Sequence, residues 1–212
     1  MMGAVQHVVL RAANHLQDYR LGISTTGTGS AELPGQVYYA TCSYSCTESL
    51  LRKLSLSESD TFIDVGCGKG RVVCLAARHR IKRAVGIEYS SVRAQIARRN
   101  IAQLRGRKSP AAILCQSAEE ADYSDATVLY FFNPFEAPLL DTVLHKVQSD
   151  CRGRAIRVAF VMESDAQRSV FSRHDWLACG ERFVDDDGHV VAIYNTWSAT
   201  RRPSRPSWTL RT

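Results

Sequence analysis

Thr61-Phe62-Ile63-Asp64-Val65-Gly66-Cys67-Gly68-Lys69-Gly70-Arg71 is the stretch that decides how this chain folds. Thr61 to Val65 is an apolar run short enough for a buried strand. Residues 66–70 form a glycine-rich turn, and the segment through Ala76-Ala77 to about Arg80 reads as a helix. Strand, glycine turn and helix in that order are the context a nucleotide-type loop requires. Glycine is needed there because the chain must reverse sharply and bring backbone amides against a ligand, which a Cβ would block.

Outward from this stretch, short apolar runs alternate with longer helical segments. Strands are expected at 83–87, 111–115, 127–132 and 155–162, and helices at 90–105, 136–149 and 164–174. In the 90–105 helix, Val92, Ile96, Ala97, Ile101 and Leu104 are assigned to the inner face, and Arg93, Arg98, Arg99 and Arg105 to solvent. The runs 177–184 and 189–197, joined by Asp185-Asp186-Asp187-Gly188, read as a hairpin. The expected fold class is α/β: a Rossmann-like, doubly wound, mostly parallel sheet with helices on both faces and a C-terminal antiparallel hairpin. Helices near 9–20 and 46–54, with a Gly/Ser/Thr-rich stretch at 22–30, place an N-terminal helical lid segment over 1–60. The main domain runs 61–198, and 199–212 is read as a disordered basic tail.

Composition narrows the function classes. The chain has 212 residues, 45% of them hydrophobic, so it can bury one large core. Its net charge is +6, but Arg201, Arg202, Arg205 and Arg211 sit in the tail, which leaves +2 for the rest. Nucleic acid is therefore not the expected partner. The seven cysteines are scattered without a Cys-x-x-Cys pair, and the six histidines show no ligand spacing, so neither a disulfide framework nor a metal is expected. No run approaches the roughly eighteen apolar residues of a membrane span. A cytoplasmic location is expected, although residues 1–16 lack acids and carry a weak transit-peptide character.

Eighteen residues past Gly70, at the end of the next strand, stands Glu88, placed to accept both hydroxyls of a ribose. Two ligands compete for such a loop. A dinucleotide wants Gly-x-Gly-x-x-Gly and a pyrophosphate over the helix N-terminus. S-adenosylmethionine carries no phosphate and presents an ammonium. The spacing here is Gly-x-Gly-x-Gly, and Asp64, two residues before the first glycine, suits an ammonium and repels a pyrophosphate.

The run Phe62 to Arg71 resembles the first motif of class I methyltransferases, above all small bacterial members carrying Asp-x-Gly-Cys-Gly-Lys-Gly-Arg. Leu21-Gly22-Ile23-Ser24-Thr25-Thr26-Gly27 and Val191-Ala192-Ile193-Tyr194 are similar to the same group, so the likeness spans about residues 19–196. It implies that Asp64, Gly66, Cys67, Gly68 and Gly70 hold the methionyl end of S-adenosylmethionine, Glu88 the ribose, and Tyr89 the side of the adenine. After the third strand, Cys115-Gln116-Ser117-Ala118 replaces the acid such enzymes carry, with Ser117 standing in and the Ala118 amide on the ring. Upstream, Tyr39-Ala40-Thr41-Cys42-Ser43-Tyr44 keeps the two tyrosines of the group's lid motif without its prolines, and Tyr44 is counted as a cofactor contact.

Open parallel sheets bind ligands beyond the carboxyl ends of their strands, and the fourth strand ends at Asn133-Pro134-Phe135. The Asn133 side-chain oxygen and the Pro134 carbonyl can accept the protons of an amine, and Phe135 can face a developing cation. These three are the candidate catalytic residues, and Asn133 also lies within reach of the cofactor. The motif resembles the Asn-Pro-Pro-Tyr/Phe of amide- and amine-directed N-methyltransferases, with one proline missing. The leading expectation is N-methylation of a protein side chain or small molecule. O-methylation, or a non-catalytic binding subunit of the same fold, stays open.

Overall fold

The computed structural model describes the backbone of residues 4–27 and 41–196, and side chains from residue 9. Tyr39, Trp197 and the expected tail lie outside the described residues. The elements are α1 (Ala4–Leu21), α2 (Tyr44–Lys53), β1 (Thr61–Val65), α3 (Arg71–Ala76), β2 (Arg83–Glu88), α4 (Ser91–Gln103), β3 (Ala111–Cys115), β4 (Val128–Phe132), α5 (Ala137–Asp150), β5 (Arg157–Val161), α6 (Asp165–Arg173), β6 (Leu177–Val184) and β7 (Val190–Thr196).

The seven strands form one sheet in the order β3-β2-β1-β4-β5-β7-β6. Strands β1 to β5 are parallel, whereas β7 runs antiparallel to both β5 and β6. The strand order reverses between β1 and β4, and it is at the carboxyl ends of strands at such a switch point that doubly wound sheets bind ligands. This is the Rossmann-like, doubly wound sheet with a terminal hairpin that the sequence pattern predicts.

Strand alternation divides the core in two. On β4, Val128 and Tyr130 join the layer under α2, α3 and α4, while Leu129 and Phe131 join the layer under α5 and α6. All four are essentially fully buried, each large apolar side chain contributing about 1.5–3 kcal/mol. Asp64 lies on the first face of β1, in register with Gly86 of β2 and Tyr130 of β4.

Three expectations are corrected. Val92 is 61% exposed, whereas Ala97, Ile101 and Leu104 are buried as expected and are joined by Ala94 and Asn100. A polar Asn100 inside that face escapes a periodicity reading, because its partners come from other segments. Arg93 is not on a solvated face, since its Nε stands 3.3 Å from Glu88, whereas Arg98 stays exposed as expected while donating to the Ile113 carbonyl. The helix expected to reach Arg80 ends at Ala76, where the Arg78 and His79 amides tighten onto the Leu75 and Ala76 carbonyls.

Candidate functional site

The chain leaves β1 through Gly66 and re-enters a helix after Gly70, both with φ near +80°. A Cβ on Gly66 would lie 2.7 Å from the Pro134 Cβ, and one on Gly70 3.0 Å from the Ala97 Cβ. Side chains are thus excluded at both ends of the turn. The Gly66 and Cys67 amides both donate to the Ile87 carbonyl at 2.9 Å, which ties the turn to β2. Cys67 itself is buried, and a Cβ on Gly86 would strike its sulfur.

Glu88, 6% exposed, is built into this turn. Its Oε2 accepts the Gly68 amide and its Oε1 the Ser90 amide, both at 2.8 Å. A carboxylate offers about four lone-pair positions, so capacity remains for a diol. Tyr89, next in the chain, is exposed, as adenine stacking requires. Ser117 is half-buried and Ala118 buried at the end of β3, where the Ala118 carbonyl accepts the Tyr123 hydroxyl at 2.8 Å.

Five acids are buried among the described residues: Asp18, Asp60, Asp64, Glu88 and Glu163. Four have protein donors. Asp60 pairs with Arg157 at 2.6 Å and accepts the Thr127 hydroxyl; Glu163 accepts from Tyr194, Arg168 and Arg182. Asp64 has no donor among the described residues. Burial, with the nearby negative charge of Glu88, pushes its carboxyl well above the ordinary range. A cationic ligand group would reverse that effect.

Sequence reasoning missed the clamp that closes the other side of the turn. Asp18 of α1 accepts the Thr25 and Thr26 amides, the Thr25 and Thr26 hydroxyls, and the Tyr44 hydroxyl. Burial raises its carboxyl, but these hydrogen bonds prevail and hold it below its ordinary value. Arg71, 1% exposed, donates to the Thr25 hydroxyl at 2.7 Å and the Cys42 carbonyl at 2.8 Å, and lies over the Tyr44 ring at 4.4 Å. Asn100 bonds the Ser24 backbone in both directions and the Lys69 carbonyl at 2.8 Å. The hydroxyl of Tyr44 is committed to Asp18, so this residue braces the segment that meets the glycine turn. Buried polar residues beside a glycine motif were the available signal.

At the end of β4, Asn133 adopts φ +38°, and its amide donates to the Val161 carbonyl. Its side-chain oxygen accepts from Gln167 Nε2 at 2.6 Å, and the same nitrogen reaches the Phe135 carbonyl at 2.8 Å. Gln167 is itself fixed by Ser164 in a capping box at the start of α6. Pro134 lies against Gly66, which brings the carboxyl end of β4 and the glycine turn into contact. The Phe135 ring packs with the α5/α6 layer, edge-on to Phe131 at 6.4 Å. Phe132, on the opposite face, meets His189 edge-on at 5.7 Å.

The strand order, its switch point and the acid-flanked glycine turn define the class I S-adenosylmethionine-dependent methyltransferase fold. More narrowly, the chain belongs to the family described as histone methylation protein DOT1, whose model matches residues 6–113. A protein-lysine N-methyltransferase of Saccharolobus islandicus is 36% identical over 84 residues, 39% of this chain and 52% of the relative. The chain thus spans about half the length of that curated relative. Among solved structures, an RNA methyltransferase from Salinibacter ruber in complex with S-adenosyl-L-homocysteine has a TM-score of 0.59 at 23% identity, covering 74% of this chain and 94% of that one. A SAM-dependent methyltransferase from Aquifex aeolicus has a TM-score of 0.58 at 13% identity, covering 71% and 89%. These two likenesses concern the fold.

Proposed function

We propose that this protein is an S-adenosylmethionine-dependent N-methyltransferase that modifies a lysine-type amine of a protein. The observation that carries the cofactor assignment is Asp64, the buried carboxylate that has no donor among the described residues, at the mouth of a glycine turn. An ammonium supplies the missing donors, whereas a pyrophosphate would add a like charge. Glu88 keeps lone pairs for the ribose while anchoring the Gly68 amide, and Tyr89 offers its ring to the adenine. Gly66, Cys67, Gly68 and Gly70 let the chain close on the methionyl end, and Ser117 and Ala118 bound the adenine side.

When bound, S-adenosylmethionine supplies an electrophilic methyl group on a sulfonium. The chain's own task is then alignment, which accounts for much of the rate of such a transfer. In this reading the amine docks at the carboxyl end of β4, where Asn133 and the Pro134 carbonyl accept its protons. Gln167 locks the Asn133 oxygen in place and occupies one of its two lone pairs, leaving one for the acceptor. Phe135, turned toward the α5/α6 layer, supports this corner through packing. The lysine-type acceptor is supported by family membership and by the Saccharolobus relative.

The test has two arms. Calorimetry with S-adenosylmethionine, its demethylated product and NAD checks the pocket: NAD binding as tightly as the product overturns the cofactor assignment. Transfer of labelled methyl to a lysine-rich polypeptide, the same polypeptide with acetylated lysines, and a structured RNA checks the acceptor. Label on RNA, or equal label on the acetylated polypeptide, overturns the lysine assignment.

A further inference from the structure

The connection between β6 and β7 carries chemistry that the methyl-transfer site does not use. Asp185 Oδ1 accepts the amides of Asp187 and His189 at 3.0 and 2.8 Å, so the chain curls around that carboxylate. Asp187 Oδ2 then accepts the Ser43 amide at 3.0 Å, and the Cys42 thiol donates to the same oxygen at 3.9 Å. Ser43 is the N-cap of α2. The tip of the hairpin is thereby held against the segment that enters this helix.

One ligand atom from each of Cys42, Asp185, Asp187 and His189 lies within 4.8 Å of all the others. They offer a cysteine sulfur, an imidazole nitrogen and two carboxylates, from a buried cysteine and three half-buried residues. Four mixed donors of this kind suit a borderline divalent ion in tetrahedral coordination. Among the described residues no arginine or lysine forms a salt bridge with either carboxylate, and His189 stands 3.3 Å from Asp185.

Tyr130 adds a second observation. It is 1% exposed, and its hydroxyl is buried with no hydrogen-bond partner among the described residues. Burial first, and then the neighbouring Cys42, Asp64, Asp185 and Cys46, push this phenol well above its ordinary range. An unpartnered buried hydroxyl calls for an acceptor, and a water or carboxylate oxygen held by a cation provides one.

From these two observations we propose that Cys42, Asp185, Asp187 and His189 form a binding site for a divalent cation of the zinc class, which fastens the start of α2 to the β6–β7 hairpin beside the acceptor pocket. The site adjoins the pocket because His189 packs on Phe132, the residue before Asn133. It reaches the glycine turn through Arg71, which donates to the Cys42 carbonyl. Asp141, His145 and His174 also gather on the far face, but there His174 Nδ1 accepts from Trp176, so its Nε2 carries a proton toward Asp141. That grouping serves as the internal control.

The experiment titrates the full chain, stripped with a chelator, with cobalt(II) as the spectroscopic probe and zinc(II) as competitor. The expected result is one cobalt per chain, a thiolate-to-cobalt charge-transfer band, and displacement by zinc. Cys42→Ser should abolish the band, and His189→Ala should weaken binding by at least about tenfold. His145→Ala should change neither. Absence of the band in the parent protein, its survival in Cys42→Ser, or unchanged affinity in His189→Ala overturns the site. If Cys42→Ser fails to fold by circular dichroism, the hairpin variant His189→Ala decides alone.

Discussion

Asp64→Asn is expected to make the ligand-free protein more stable and the cofactor complex weaker. Asp64 is 3% exposed and lacks a donor among the described residues, and burial followed by the charge of Glu88 raises its carboxyl well above the ordinary range. The isosteric amide removes the buried charge without changing volume. An unpartnered buried polar group costs about 1–3 kcal/mol on mutational scales and a charged one more, so the neutral amide recovers an amount of that order. In a domain of this size each kcal/mol moves Tm by about 2–4 °C, so the variant should melt about 2–12 °C higher at pH 7. The sign with pH is fixed. Because the folded pKa is raised, the two proteins should be equally stable below the ordinary carboxylate value of about 3.9. The parent then loses stability relative to the Asp64→Asn variant as pH rises from there through the folded value. Cofactor affinity, in contrast, should fall by roughly ten- to a hundredfold, since a hydrogen bond to a charged acceptor is worth about 1.5–3 kcal/mol. Scanning calorimetry from pH 4 to 8 and isothermal titration read both effects. A variant that melts lower at pH 7, or binds S-adenosylmethionine as the parent does, refutes the reasoning.

Glu88→Gln should keep the Gly68 and Ser90 contacts in part and lose about tenfold in affinity, and Glu88→Ala should lose more; equal affinities in parent and Ala variant would remove Glu88 from the site. Arg71→Met strips a cation from the buried Asp18, Thr25 and Cys42 network and is expected to cost about 3–5 kcal/mol in urea unfolding at unchanged m. A loss below 1 kcal/mol, on the order of a surface change, would contradict that role. Asp18, held below its ordinary value, contributes stability that is present above the ordinary carboxylate value and lost as pH falls through its folded value. Asp18→Asn should therefore flatten the acid limb of the melting curve, and an unchanged limb would show that Asp18 does not carry it.

What could be read from sequence was local. Thr61–Val65, the glycine turn and the β6–β7 hairpin are set by neighbours along the chain, so strand period and turn chemistry reveal them. Asp64 and Glu88 stand out because each sits at a fixed distance from the glycines. Asp18, Arg71 and Asn100 were not legible in that way. Their partners lie 7 to 76 residues away, and a buried Asn100 on a helix face looks like an error in the apolar pattern until Ser24 is placed beside it. The same holds for Cys42, Asp185, Asp187 and His189. A ligand spacing of two to four residues is visible in a sequence, whereas a set that joins a helix entrance to a hairpin 145 residues later exists only in the fold. Arg93 of α4 misleads for the opposite reason: charge on a helix usually faces water, and here Glu88 turns this one inward.

The proposed reading also separates grip from chemistry, and kinetics can see the difference. Asp64 and Glu88 meet the ammonium and the ribose, which are the same before and after transfer. Interactions that are equal in ground and transition states change KM and leave kcat alone. Asp64→Asn should thus raise KM for S-adenosylmethionine and the inhibition constant of its product by the same factor, with kcat nearly constant. Asn133 stands on the acceptor side, pinned by Gln167 at 2.6 Å, and its oxygen has a lone pair for an amine proton only while that bond holds its orientation. Asn133→Ala should leave cofactor affinity unchanged and lower turnover on the polypeptide by something like ten- to a thousandfold, as misalignment does. Gln167→Ala leaves the asparagine present but unpinned, so it should lower turnover less than Asn133→Ala, again without a change in cofactor affinity. If Gln167→Ala and Asn133→Ala both turn over at the parent rate, this corner ends a strand and starts a helix without directing the acceptor. Were Asn133→Ala to weaken cofactor binding instead, the two halves of the site would not be separable as the geometry of Gly66 and Pro134 implies.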